Sequence, residues 1–162
     1  MLNYIETHIV DHCNLRCAGC SHFSGLASPY FKDLNTFDDE FAKLAELTNH
    51  NIPMIRIMGG EPLLHPQVVD FCVCARHHFP KSAIALVSNG TLLKFMSDQD
   101  IDTLNNIRVE LCVSDYGISI DRNQFNKFNK RYFHPKSKMY NICLDLDGEQ
   151  DKNISFFNCD LV

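Results

Sequence analysis

Short apolar runs and helical patterns take turns along this chain, and that alternation limits its fold more than any other feature. Tyr4 to Val10 places Ile5, Thr7 and Ile9 on one face and Glu6 and His8 on the other, the period of two that marks a strand. Thr36 with Asp39 resembles a capping box, and the helix expected from Phe37 to about Thr48 carries Phe37, Phe41, Leu44 and Leu47 on one face. Met54 to Met58 reads as the second strand. A helix follows from Pro66, a favoured first helical residue, to about His78, where Pro80 stops it. Ala83 to Val87 is the third strand, a helical region in one or two pieces reaches Asn105, and Ile107 to Ser114 is the fourth strand. Asp121 can cap a helix through about Phe133, and Met139 to Leu144 is expected as the fifth strand. Alternating strands and helices imply a parallel sheet with right-handed crossovers. A closed eight-unit barrel takes about 250 residues, about 31 per unit. The 162 residues here therefore hold about five units. The expected architecture is α/β: an open partial (β/α) barrel of about five parallel strands with helices on the outside. Residues 1–144 form its core, and 145–162 a C-terminal extension.

Parallel α/β folds bind ligands at the carboxyl ends of their strands. The segments at those ends here are a cysteine loop after strand one, Gly59-Gly60-Glu61-Pro62 after strand two, Ser88-Asn89-Gly90 after strand three and Ser114-Asp115 after strand four. All four should line one rim. Cys13, Cys17 and Cys20 sit close together, in the spacing C-x3-C-x2-C. Three thiolates on one tight loop can hold three irons of a cubane [4Fe–4S] cluster. Most such clusters use four cysteines, so the fourth iron would be reserved for another ligand. Zinc with His12 or His22 as a fourth ligand, or a disulfide framework of a secreted chain, are the alternatives at this point. Gly59 and Gly60 have no side chain, so a ligand can approach their backbone closely.

Together the cysteine spacing and Gly59 to Pro62 resemble the signature of the radical S-adenosylmethionine (SAM) superfamily, over roughly residues 4 to 116. Gly19 stands where that family often has an aromatic residue, as it does in small activases of glycyl-radical enzymes. The resemblance implies that Cys13, Cys17 and Cys20 hold the cluster and that the open iron chelates SAM. It implies that the carbonyls of Gly59 and Gly60, with the Glu61 carboxylate, meet the SAM ammonium. Ser88 and Asn89 would bond the ribose hydroxyls, and Ser114 resembles the polar end of strand four in the family. Each has a plainer reading: a Glu61 that only holds its turn, and an Asn-Gly that is an ordinary turn pair. The implied enzyme cleaves SAM with one electron from a donor such as flavodoxin or ferredoxin. It thereby generates a 5′-deoxyadenosyl radical that abstracts hydrogen from an unknown substrate, whether small molecule, sugar or peptide. The rival readings are a glycyl-radical enzyme activase and a non-catalytic zinc or iron–sulfur module.

Net charge is -5 with no basic stripe, which argues against a nucleic-acid partner. No apolar run approaches the ~20 residues of a membrane span, and no signal peptide precedes the loop. Eight cysteines without a secretion signal point to a reducing, cytoplasmic compartment. Cys72 and Cys74 read as buried structural thiols. Cys143 and Cys159 read either as buried thiols or as part of a further cluster set, and the chain as a truncated or unusually short version of a longer enzyme. Polar residues at alternate strand positions (Glu6, His8, Arg56, Arg108, Glu110, Cys112 and Ser114) predict an open polar interior, or an internal ion pair such as Glu6 with Arg56.

Overall fold

The computed structural model describes residues 2–17, 20 and 22–134. Among them β1 (Tyr4–Val10), β2 (Met54–Gly59), β3 (Ala83–Ser88), β4 (Val109–Ser114) and β5 (Arg131–His134) form one sheet in the order β1-β2-β3-β4-β5, with every neighbouring pair parallel. Helices α1 (Leu34–Thr48), α2 (Val68–His78), α3 (Asp98–Asn106) and α4 (Arg122–Lys127) bridge successive strands. A sequential parallel order is that of a (β/α) barrel left open. A doubly wound sheet would reverse its order part-way and split its helices between two faces.

Register places like side chains in rows. Ile5, Ile55, Ile84 and Val109 align, as do Thr7, Ile57, Leu86 and Leu111. Ile55, Ile57, Ile84, Leu86, Val109 and Leu111 are buried in one core with Phe37, Phe71, Phe79 and Leu104. Phe37 stacks on Phe41 at 4.0 Å and meets Phe71 edge-on at 4.8 Å. The opposite face carries Glu6, Arg56, Ala85 and Glu110 in one row. The expected Glu6–Arg56 ion pair forms there, with side chains 30% and 37% exposed. Water screens such a pair to about 1 kcal/mol or less. Glu110, Cys112 and Ser114 of β4 stay half-buried on that face.

At the base of the sheet Arg76, in the last turn of α2, gathers carbonyls. Its guanidinium donates to Ile107 O (2.8 Å), Ser82 O (2.7 Å), Phe79 O and Pro80 O (3.2 Å each) and Arg108 O (3.3 Å). A cation suits that end of a helix, where its dipole is negative.

Several boundaries differ from the sequence expectation. Asp33, not Thr36, caps α1: its Oδ1 accepts the Thr36 N–H at 2.8 Å. The buried line is Phe37, Phe41 and Ala45, every fourth residue, while Leu47 is 83% exposed. Pro66 lies before α2 rather than inside it, because Pro62–Leu64 forms a separate 3-10 turn. The helical region after β3 does come in two pieces, a 3-10 turn at Leu93–Phe95 and α3, whose Ser97–Asp100 capping box is complete.

The largest correction concerns residues 121–133. Asp121 caps a helix, but α4 stops at Lys127, and residues assigned to that helix form β5. Asn123, Asn126 and Asn129 are poor helix formers. Asn105 then ends the helix: its Nδ2 donates to Lys127 O (2.9 Å) and its Oδ1 accepts the Asn129 N–H (2.8 Å). Arg131 to His134 pair instead with β4, which would otherwise present a bare edge. The Arg122 guanidinium lies 4.2 Å from the Phe133 ring and fastens the new strand to α4. Gly19, the strand expected at 139–144, Cys143, Cys159 and the extension 145–162 lie outside the described residues. No helix among the described residues is long and apolar enough to cross a membrane.

Candidate metal and cofactor site

The cysteine loop is a closed excursion from the end of β1. Phe31 pairs antiparallel with Val10, Lys32 N–H donates to Ile9 O (2.9 Å), and Cys13 N–H donates to Ser24 O (3.1 Å). Cys13, Cys17 and Cys20 are half-buried within it, none of them in a disulfide. Backbone bonds keep it tight: Cys20 N–H donates to Cys17 O (3.1 Å), and Leu15 N–H points at Cys13 Sγ (3.4 Å).

The thiols are not equivalent. Burial pushes Cys13 up to about 11, helped by the nearby Glu61 charge and opposed by bonds from Leu15 and Asn89. Burial also acts to raise Cys20, but bonds from the His22 side chain and from the Ser24 and His22 backbone outweigh it and bring the thiol down to about 7. His22 also meets His8 edge-on at 4.6 Å. His12 packs edge-on against Phe31 at 5.1 Å, its Nδ1 buried with no hydrogen-bond partner among the described residues. Both histidines thus sit beside the cysteines. Three cysteine sulfurs on one loop, with N–H donors from Leu15 and Asn89 aimed at Cys13 and backbone bonds from Ser24 and His22 acidifying Cys20, are a donor set that fits an iron–sulfur cluster.

Gly59 and Gly60 are approached closely by the cysteine loop itself. Gly60 N–H donates to Val10 O (2.7 Å), and Glu61 N–H donates to His12 O (3.1 Å), so β1–β2 pairing continues into both loops. A Cβ on Gly60 would stand 2.0 Å from His12 O, and one on Gly59 would stand 2.2 Å from Val10 O. The glycines are therefore required by protein–protein contact, whatever else approaches their carbonyls.

Glu61 has no exposed surface. Its Oε1 accepts Leu63 N–H (2.9 Å) and Ser88 Oγ–H (2.8 Å), and its Oε2 accepts Asn89 N–H (2.8 Å). Burial raises its carboxyl to about 7 against the pull of these bonds. Glu61 thus joins the turn after β2 to the turn after β3. Ser88 also accepts Gly90 N–H (2.9 Å). Asn89 Nδ2 donates to Asn14 Oδ1 (2.9 Å) and faces Cys13 Sγ (3.7 Å), while its Oδ1 accepts Thr91 N–H (2.9 Å) and Oγ1–H (2.6 Å). Asn14 closes the ring by donating to Thr91 Oγ1 at 2.8 Å.

The structure thus brings Cys13, Gly59, Gly60, Glu61, Ser88 and Asn89 into one bonded frame. Ser114 ends β4 apart from it, beside Asp115, which accepts Gly117 N–H (2.8 Å). Sequence reading missed Asn14 and Thr91, partners 77 positions apart with no local pattern to join them. It also missed His65, which is buried and clamps the rim from outside. His65 Nδ1 accepts Gln67 N–H (3.0 Å), so its Nε2 donates to Lys32 O (3.0 Å). In the sequence only the neighbouring Pro66 carries a signal, that of a helix start.

Comparison with known proteins adds a match of residues 7–131 to the radical SAM superfamily. Among curated proteins, the GTP 3′,8-cyclase of Heliobacterium modesticaldum is 29% identical over 111 residues, 68% of this chain and 34% of that protein. The GTP 3′,8-cyclase of Thermodesulfovibrio yellowstonii is 32% identical over 133 residues, 80% of this chain and 39% of that protein. The chain therefore spans between a third and two fifths of these relatives. Among solved structures, BtrN in complex with AdoMet and 2-DOIA superposes with a TM-score of 0.65 at 16% identity, covering 83% of this chain and 56% of that one.

Proposed function

The chain belongs to the radical SAM superfamily, whose members bind a [4Fe–4S] cluster and SAM, and on that premise we propose that its described residues form the cofactor frame of a radical SAM enzyme. Cys13, Cys17 and Cys20 are the cluster ligands, and Gly59, Gly60, Glu61, Ser88, Asn89 and Ser114 are the cofactor-binding set. When bound, the cluster and SAM together supply one-electron cleavage of SAM and a 5′-deoxyadenosyl radical for hydrogen abstraction. The Cys20 sulfur, acidified by its neighbours, offers a thiolate near neutral pH, whereas Cys13 must release its proton on ligation. Asn89 Nδ2 at 3.7 Å from Cys13 Sγ orients that sulfur and eases the charge it takes on. Gly59 and Gly60 present backbone carbonyls at the rim, where a SAM ammonium can be met. Glu61 acts on the cofactor through the two turns it joins.

The observation that carries this reading is the continuous bonding from Cys13 through Asn89 and Glu61 to the Gly59–Gly60 turn. It ties the thiols to the second motif in space. GTP is the first substrate to try, because the two curated relatives are GTP 3′,8-cyclases. Flavodoxin or ferredoxin is the natural donor class. Anaerobically reconstituted protein should be brown, and SAM should alter the electron paramagnetic resonance signal of the reduced protein. Dithionite with SAM should yield 5′-deoxyadenosine. Cys13→Ala, Cys17→Ala and Cys20→Ala should each abolish iron–sulfur incorporation, while Cys72→Ala retains it. A colourless protein holding one zinc on these thiols would defeat the reading.

A further inference from the structure

Away from the rim, α1 and α2 bring three metal-ligating atoms of different kinds together. Asp38 Oδ1 lies 2.7 Å from His78 Nε2 and 3.2 Å from Cys74 Sγ. All three donor atoms lie within 4.8 Å of one another. Cys74 and His78 are four positions apart on α2, hence on one face, and Asp38 faces them from the second turn of α1. Cys74 is therefore not the plain buried thiol the sequence suggested: it is half-buried and points its S–H at a carboxylate.

Four atoms around a tetrahedral zinc, with bonds of about 2.0–2.3 Å, stand about 3.3–3.6 Å apart. Asp38 Oδ1 needs to move apart from His78 Nε2 and from Cys74 Sγ by less than about 1 Å to reach that spacing, and the nitrogen and sulfur already lie within 4.8 Å of each other. One sulfur, one imidazole nitrogen and one carboxylate oxygen suit zinc, whereas magnesium and calcium favour oxygen alone. Cys74 and His78 are half-buried and Asp38 is exposed, so the open side faces solvent and can admit a water.

We propose that Asp38, Cys74 and His78 form a zinc site with three protein ligands and one water, clasping α1 to α2. None of the three belongs to the cluster frame, and the site does not rest on the function proposed above. On binding, the Cys74 S–H bond breaks, an S–Zn bond forms and the proton goes to solvent. His78 offers the Nε2 lone pair once its ring proton sits on Nδ1. Asp38 exchanges two hydrogen bonds for one bond to the metal. Without metal, burial and then the Asp38 bond push the Cys74 thiol up to about 12, so the ion must displace a held proton.

The test uses cluster-loaded protein dialysed against zinc, with metal counted by elemental analysis and X-ray absorption read at the zinc edge, where iron does not contribute. We expect one zinc with one sulfur at about 2.3 Å and three nitrogen or oxygen neighbours at about 2.0–2.1 Å. Cys74→Ala and His78→Ala should each weaken binding by about a hundredfold or more, and Asp38→Asn by about tenfold. Asp38 is exposed, so its variant keeps the fold; Cys112→Ser should leave zinc affinity unchanged. Absence of bound zinc, two or more sulfurs per zinc, or affinity indifferent to Asp38→Asn and Cys74→Ala would each overturn the site.

Discussion

Above β1, β2 and β3 the polar side chains at the strand ends bind one another across loops. Glu61 holds Ser88 and Asn89, Asn89 holds Asn14 and Thr91, and Asn14 returns to Thr91. Above β4 Asp115 makes a local bond, accepting the N–H of Gly117 two residues on. The first rim is fixed before any ligand arrives, which spares a resident cofactor the ordering entropy of its own site. The second rim can adjust. A fixed frame at the cluster beside an edge where Ser114 can meet the far end of the cofactor and a substrate is the division of labour this contrast suggests.

The sharpest way to break the contrast is at Gly60. A Cβ there meets His12 O at 2.0 Å, so Gly60→Val must separate the cysteine loop from β2. We expect a loss above about 4 kcal/mol and no cluster incorporation, read by urea unfolding and iron analysis. Next is Glu61→Ala, which strands three buried donors and should cost about 3 kcal/mol. Glu61 also predicts a pH slope. Burial holds its carboxyl at about 7 in the folded protein against an ordinary value of 4.5, so between those values the folded state holds the extra proton. Its contribution is complete below about pH 4.5 and declines as pH rises through about 7. Glu61→Gln should flatten that slope in unfolding of the metal-free protein at about pH 5 and about pH 7.5, even though the amide starts less stable. A smaller loss, about 1–2 kcal/mol, is expected for Asn89→Ala, with a shifted paramagnetic signal because the bond toward Cys13 goes too. Smallest is Ser114→Ala: within about 0.5 kcal/mol and with a normal cluster. A large stability loss at Ser114 would erase the distinction between the two rims.

What could be read in the sequence follows the range of the interaction. β1 to β4 were legible because their apolar positions alternate within a few residues. β5 was not, because Phe125, Phe128 and Phe133 mimic a helical stripe, while the bonds from Asn105 and the waiting edge of β4, which help to end α4, come from distant residues. Asp33 and Thr36 are both good caps three residues apart, and the backbone chose the earlier one. Gly59 and Gly60 were recognised as places of close approach, but the approaching group is the backbone of His12 and Val10 rather than a ligand alone. Glu61 illustrates the same limit: its type and position were marked, while its three donors come from residues as far as 28 positions away.

Arg76 has a consequence at the other end of the sheet. By gathering carbonyls from the segments that lead into β3 and β4, it sets where those strands begin, using no atom from the rim. The strand ends can then be rebuilt without disturbing the strand starts. Loops after β3 and β4 can lengthen, shorten or be exchanged over evolutionary time, each trial starting from a sheet already aligned. One half-buried guanidinium at the base thus gives the opposite edge its freedom to acquire new chemistry.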